Sequence, residues 1–416
     1  MATKSWGNVR QLSNHARVLR YIFRNQPVSR SEIGQDLNLP RSMVTGITAR
    51  LIEQDIVREL GKADTQEDGA PGRRRQLLGI CPDARFAVGA EIGVRHFRFC
   101  LTDLAGHVLE ELCYAPTEEQ IRRVNETLCL GVRQLLDRRP ELGGRVVGVG
   151  IALPGHLNAQ TGGMVSHAPQ WDAFNLRAVA DGLDQPVTAE NNVRAMAYER
   201  YLFDIQSCPE NFVFLHVGPG IFCSEFKGGM LTGGSYISGE IGHTISNPDG
   251  QRCECGKVGC LQTYASEDWI IKKARIIYAS APHSALRSLA GRAEDITLQT
   301  VLTAYQLGDT LVIQELREAV RYLAVAAANL AIIMGTEKLC LHSRMFQHEI
   351  LKSELKAGIE SQLTFVDKQN SEDVEILEFH PARAAVGAAA LAIDRLFISP
   401  QQVSREGQNR RIADFG

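Results

Sequence analysis

No feature limits the folding of this chain more than the stretch from Gly239 to Gln262, GEIGHTISNPDGQRCECGKVGCLQ. Cys253, Cys255 and Cys260 form a C-x-C-x4-C cluster, and His243 lies ten residues before the first thiol. Three thiols and one imidazole are the donor set that tetrahedral zinc takes in a closed structural site. Gly250, Gly256 and Gly259 sit between or beside the cysteines, where a short loop must fold back with residues at positive φ. Two other readings exist: buried free thiols beside a surface histidine, and a disulfide pair. Three of the ten cysteines within eight residues are hard to explain by packing. The N-terminal segment lacks the apolar core of a secretory signal, and a reducing compartment favours metal over disulfide. One structural Zn2+ per chain is therefore expected, on His243, Cys253, Cys255 and Cys260.

At 416 residues the chain has room for two or three domains. Its 44% hydrophobic and 22% charged residues are ordinary for a globular protein. No apolar run reaches the length of a membrane span, so a cytoplasmic protein without membrane insertion is expected. The net charge of −3 hides an asymmetry. Residues 1–80 carry 13 Lys and Arg against 8 Asp and Glu, a balance of +5, and the remainder carries 32 against 40, a balance of −8. A small basic head on an acidic body suggests a polyanion-binding domain joined to a second function.

The head reads as a winged helix-turn-helix over residues 1–80. Ala16, Leu19, Ile22 and Phe23 recur at helical spacing, and Pro27 ends that helix. Ser29 and Glu32 form a capping box for a short second helix with Ile33 and Leu37 inward. After a turn at Pro40, a third helix would bury Val44, Ile47, Leu51 and Ile52 and expose Arg41, Ser42, Thr45 and Thr48. That order fits a recognition helix for the major groove of double-stranded operator DNA. Two short strands, DIVREL and RQLLGI, flank a loop with Gly72, Arg73, Arg74 and Arg75, a wing suited to phosphates or a narrow minor groove. A solvated helix face, or a trihelical protein-interaction domain, would share much of this pattern.

From residue 81 the chain alternates strands and helices in two related halves, which fits a duplicated, actin-like α/β fold. A single doubly wound sheet is the other reading. The expected division is a first lobe from 81–192 with 381–398, a second lobe from 193–380 with the zinc loop, and a polar, mobile tail at 399–416. The helix DTLVIQELREAVRYLAVAAANLAIIMG is apolar almost all round after Tyr322 and should be buried there. PARAAVGAAALAIDRLF is small-faced, suited to close packing on a sheet.

GEIGH followed by C-x-C-G-x-x-G-C-L resembles the ROK family, which contains sugar kinases and sugar-responsive transcriptional repressors of the glucose and N-acetylglucosamine types. The resemblance implies the ribonuclease H-like, sugar-kinase-type fold and a zinc loop that presents residues to a sugar. The head resembles the winged head of the repressor branch, an extension that the family's kinases lack. By the same resemblance, Gly155, Asn191, Asn192, Glu240, His243 and Gln262 occupy the sugar-binding positions. Two carboxylates of the family pattern are amides here, Asn192 and Gln262, and a neutral polyhydroxylated effector stays compatible with them.

The resemblance also implies that catalysis is lost. Family kinases carry Asp-x-Gly-x-Thr in the first phosphate hairpin, where this chain has Glu91-Ile92-Gly93-Val94-Arg95. Gly218-Pro219-Gly220-Ile221-Phe222 stands for Gly-Thr-Gly-Ile-Gly, and His342-Ser343 for a Gly-Gly turn near the nucleotide base. The general base of Glu-Asn-Asp is an amide in Glu190-Asn191-Asn192. No catalytic residue is therefore assigned, and a DNA-binding regulator of sugar metabolism or transport genes, most simply a repressor, is expected. The alternatives are a sugar-binding enzyme or residual kinase with an accessory head, and a vestigial pocket that holds only water. A homodimer or homotetramer is expected on DNA, and a regulatory protein partner stays open.

Overall fold

The computed structural model describes residues 12–62, 75–166, 168–204, 208–233, 235–363 and 374–400. The chain forms two compact units, 1–207 with 382–416, and 208–381.

The first unit opens with the head. α1 (Asn14–Asn25) is capped by Ser13 and buries Ala16, Val18, Leu19, Ile22 and Phe23. β1 (Val28–Ser29) leads into α2 (Arg30–Asp36), whose Ser29–Glu32 capping box forms as expected. Asn38, at φ +52, makes the turn to α3 (Arg41–Glu53), and Pro40 is the residue before that helix. β2 (Val57–Lys62) and β3 (Gln76–Ile80) pair antiparallel, and β1 adds to β3, giving the three-stranded sheet of a winged helix. The tip between β2 and β3, with Gly72, Arg73 and Arg74, lies outside the described residues.

One expected face is wrong. Thr48 is fully buried, whereas Ile47 and Ile52 are only half-buried. The inward positions of α3 are Val44, Thr48 and Leu51. A hydroxyl can turn inward here because it is satisfied there: Thr48 Oγ1 donates to the Val44 carbonyl at 2.9 Å and accepts from Arg30 Nε at 3.0 Å.

The body of the first unit is a five-stranded sheet. β4 (Phe86–Ile92), β5 (Phe97–Asp103) and β6 (Val108–Tyr114) form an antiparallel meander. The helical segment that follows is interrupted at Arg123, giving α4 (Glu118–Arg122) and α5 (Val124–Leu136). β7 (Val146–Leu153) then runs parallel to β4. A small hairpin, β8 (His156–Leu157) and β9 (Met164–Val165), precedes α6 (Leu176–Gly182), β10 (Val187–Asn191) and α7 (Asn192–Phe203). The sheet order is β10-β7-β4-β5-β6. Its core holds Phe97, Phe99, Trp171 and Phe174 among aliphatic side chains.

The second unit repeats that plan. β11 (Phe212–Val217), β12 (Ile221–Lys227) and β13 (Met230–Leu231) form a second meander. The metal loop and the helices α8 (Gln262–Ala265), α9 (Glu267–Ser280), α10 (Leu286–Leu289), α11 (Leu298–Gln306) and α12 (Thr310–Met334) follow. β14 (Lys338–His342), α13 (Glu349–Gln362) and β15 (Val374–Leu377) complete it. The order β13-β12-β11-β14-β15 has the same sequence of two antiparallel and two parallel pairings as β6-β5-β4-β7-β10. Two sheets of one topology overturn the single-sheet reading. The end of α12 departs from expectation: Val325, Ile332 and Ile333 are exposed, Ile333 by 77%.

The chain returns to the first unit in α14 (Arg383–Ala392), which runs on into a π-helical turn at Ile393–Ile398. This helix packs against the sheet at van der Waals limits: a Cβ on Gly89 would lie 1.8 Å from the Ala385 carbonyl oxygen, and one on Gly150 1.8 Å from that of Ala388. On its other side, a Cβ on Gly387 would come within 2.0 Å of the Ala195 carbonyl of α7. The expected lobe boundary at 192 is therefore corrected to 207, because α7 is held in the first unit by α14.

Candidate functional site

The metal loop hangs from β12, where the Cys223 N–H donates to the Gly239 carbonyl at 2.8 Å. Ile241–His243 makes one short helical turn, and antiparallel bridges pair Ile245 with Cys260 and Arg252 with Val258. Gly256 and Gly259 have φ of +89° and +77°, and a Cβ on Gly259 would meet the Asn247 carbonyl at 1.6 Å. Glycine is required there on two counts. Lys257 Nζ donates to the His243 carbonyl at 2.8 Å and closes the loop.

The result is one cluster of donors. One atom each from His243, Cys253, Cys255 and Cys260 lies within 4.8 Å of all the others. Cys253 Sγ is 3.7 Å from His243 Nδ1, and Cys255 Sγ is 3.6 Å from Cys260 Sγ. Sulphurs about 2.3 Å from a tetrahedral ion stand roughly 3.8 Å apart, whereas a disulfide needs about 2.05 Å. The donors thus fit a closed tetrahedral metal site and do not fit a disulfide. Burial and the neighbouring thiols push Cys260 up to about 12, a charge problem that a bound dication relieves. Around the donors, Gln262 Nε2 donates to Cys253 Sγ at 3.4 Å, and Glu240 Oε2 lies 4.0 Å from His243 Nε2. A carboxylate on the far ring nitrogen is the usual support for a metal-bound histidine, which leaves Nδ1 for the ion.

The six expected sugar-contacting residues divide three and three between the units: Gly155, Asn191 and Asn192 in the first, and Glu240, His243 and Gln262 in the second. Within the first group, the local hydrogen bonds assign separate tasks. Asn191 is buried, caps α7 by accepting from the Val193 and Arg194 N–H groups, and donates to the Gly155 carbonyl at 3.4 Å. Gly155 is small because Val165 O would lie 2.7 Å from a Cβ. Both shape the turn. Asn192 is half-buried at the first position of α7, and its oxygen accepts from the Val193 N–H at 2.9 Å.

Sequence reasoning gave Glu190 no role. Its Oε1 accepts from the Asn191 N–H at 3.1 Å and from Arg194 Nε at 3.0 Å, and its Oε2 from Arg395 at 2.7 Å. Burial opposes ionisation, but Arg395 and Arg194 hold the carboxyl below its ordinary range. Glu190 lies in β10 and Arg194 in the first turn of α7, so their pairing depends on the turn between them, and Arg395, 205 residues away, has no local signal in the sequence.

Two positions that the resemblance assigns to nucleotide binding hold buried charged or aromatic side chains. Glu91 is buried with an oxygen 3.3 Å from His96 Nε2, an arrangement unfavourable to a polyphosphate. At the turn that the family resemblance assigns to the nucleotide base, His342 is buried, its ring packed against Phe214, His216 and Phe379, with His216 Nδ1 3.0 Å from His342 Nδ1.

On the head, Arg41, Ser42 and Thr45 are exposed along α3, as is Arg50, which the sequence reading passed over. Thr45 Oγ1 is turned back onto the Arg41 carbonyl at 2.8 Å. Arg75 is exposed, 3.6 Å from Glu32. Among the described residues no helix is long and apolar enough to cross a membrane.

The model of the ROK family matches residues 87–395. The chain belongs to the ROK family. Among curated relatives, a xylose repressor of Bacillus spizizenii is 23% identical over 388 residues, covering 92% of this chain and 94% of that protein. The DNA-binding transcriptional dual regulator NagC of Escherichia coli is 25% identical over 390 residues, covering 92% of both. A solved ROK family transcriptional regulator, described as a homolog of the E. coli MLC protein, superposes with a TM-score of 0.73 at 24% identity over 92% of this chain and 95% of that one. A ROK glucokinase from Streptomyces griseus, with glucose and AMPPNP, reaches 0.62 at 24% identity and covers 74% of this chain and 98% of its own. The kinase is thus accounted for almost completely without a quarter of this chain, whereas the regulators match nearly all of it.

Proposed function

We propose that this ROK protein is a DNA-binding transcriptional regulator, a repressor of sugar metabolism or transport genes, whose body senses a sugar or sugar derivative without phosphorylating it. The observation that carries the reading is the pairing of a winged helix with a ROK body whose base position holds Asn192, an amide that cannot accept a proton at neutral pH. The buried Glu91 in the first phosphate hairpin and the buried His342 at the nucleotide-base turn support it. Arg41, Ser42 and Thr45 face DNA in this reading, and the wing arginines Arg73, Arg74 and Arg75 meet phosphates. The Asn192 amide and the Glu240 carboxylate, both half-buried, recognise ligand hydroxyls. Gly155 and Asn191 hold the turn beside Asn192, and Gln262 serves the metal loop.

The metal is zinc, one per chain, on His243, Cys253, Cys255 and Cys260. It supplies no reaction; it fixes the loop that carries Glu240 and Gln262. The protein acts in the cytoplasm as a homo-oligomer, because one winged helix reads too few base pairs for an operator.

Genomic fragments captured by the full-length protein define the operator, which is then titrated with D-xylose, N-acetyl-D-glucosamine, D-glucose and their phosphates. A sugar that shifts operator affinity by roughly 5- to 150-fold supports the reading. Sugar-dependent consumption of ATP would overturn it in favour of a kinase.

A further inference from the structure

The Asn191–Asn192 turn is connected to the head by side chains that sensing and DNA reading leave unused. α7 begins at that turn, and its twelve residues make it roughly 18 Å long. Its far end meets α1 of the head, where the Arg24 guanidinium lies 4.0 Å from the centre of the Tyr201 ring and donates to the Tyr201 carbonyl at 3.4 Å. One turn back along α1, Arg20 Nη2 donates to Asp394 Oδ1 at 2.7 Å and to Ser399 Oγ at 3.1 Å. The residue after Asp394 is Arg395, which holds Glu190 at 2.7 Å, directly before the turn. Tyr198 of α7 stands among all four charges, and its hydroxyl bonds Arg395.

Glu190, Arg395, Asp394 and Arg20 thus alternate in sign, with side chains only 15%, 20%, 7% and 15% exposed. Such low exposure limits screening by salt. Stability alone does not call for the arrangement, since buried ion pairs are commonly replaced by apolar groups without loss.

We propose that α7 and the Glu190–Arg395–Asp394–Arg20 series transmit the state of the Asn191–Asn192 turn to the DNA-reading head. The identity of the signal, a sugar at the turn, rests on the function proposed above; the connection does not. When Glu190 lets go of Arg395, that guanidinium turns to the adjoining Asp394, which then holds Arg20 less firmly, and α1 loosens from α7. A head freed in this way changes its hold on the operator.

Hydrogen–deuterium exchange on full-length, zinc-loaded protein, without DNA or sugar, reads the connection directly. Glu190→Gln should speed exchange in α1 by about tenfold while α5 keeps its wild-type rate. In an Arg20→Met background, already fast in α1, adding Glu190→Gln should produce no further increase, because the bond it acts through is gone. Arg395→Gln removes the competitor for Asp394, so α1 exchange should stay equal or slow. That single variant decides the matter if Glu190→Gln does not fold. A wild-type α1 rate in Glu190→Gln, multiplying effects in the double variant, or faster α1 exchange in Arg395→Gln would each overturn the proposal. Failure of the sugar-sensing reading shows up separately, in the operator titration.

Discussion

Cys255 sits 3.6 Å from Cys260 in a loop of glycines that has little apolar packing of its own to hold it. Cys255→Ser replaces a thiolate by a poor zinc ligand, so metal affinity should fall by several orders of magnitude. Elemental analysis of the purified variant should find well under one zinc per chain, and the loop should become sensitive to protease while the head stays folded. Asn192 gives the opposite kind of test, a restoration that should fail. Asn192→Asp supplies a carboxylate at the base position, yet buried Glu91 still occupies the first phosphate hairpin and the ring of His342 the nucleotide-base turn. Phosphate release from ATP with glucose or N-acetylglucosamine should stay at background. The four-donor cluster was legible in the sequence, because ligand type and spacing mark a metal site by themselves. Asn191 was legible as a motif member but not as a helix cap, since the chain does not announce which amide is already spent on its own backbone. Gln262 was likewise read as a sugar contact, and its bond to Cys253 Sγ could be seen only once the loop was folded.

Among the elements, α3 carries the sharpest contrast. Arg41 and Thr45 share its exposed face, whereas Thr48 is buried under Arg30. Arg41→Ala should relax preference at the base it reads by about 1–3 kcal/mol, measured as relative affinity for operators varied at each position. Thr48→Val should leave that preference unchanged and cost about 1 kcal/mol of stability, because Arg30 loses an acceptor. Hydrophobic periodicity located this helix correctly and misjudged its rotation by part of a turn. The pattern treats Thr as polar, yet in a helix its hydroxyl can be satisfied by the carbonyl four residues back. The end of α12 failed for the reverse reason: an apolar run predicts burial, but Val325, Ile332 and Ile333 lie on the helix face turned from the core. α14 was anticipated as a small-faced packing helix, and its contacts show why small residues are needed. Gly150→Ala drives a methyl group into the Ala388 backbone, which cannot give way as a side chain could. The expected cost is about 3 kcal/mol or more, seen as a lower denaturant midpoint with the zinc content unchanged.

For the molecule as a whole, the duplicated sheet topology was visible as a recurring strand pattern, because each strand of a buried sheet writes its own apolar run. Where the units divide was not visible. The sequence suggested 192, at the end of a strand, and the fold sets it at 207, after a helix packed against α14. That partnership joins residues nearly two hundred positions apart, with no local signal at either end. The same distance has a consequence for how the protein is made. The first 207 residues leave the ribosome well before the helix that covers Gly89 and Gly150, with the whole second unit translated in between. At about 5–20 residues per second, the open sheet must wait roughly ten seconds or more for its last helix. Asp394, the partner of Arg20, arrives later still, so the head is synthesised first and secured last. A chain stopped at residue 381 should therefore display a folded second unit beside an exposed sheet. We expect it to be captured by chaperones in a pull-down, and to recover when the segment from 382 to 416 is supplied in trans.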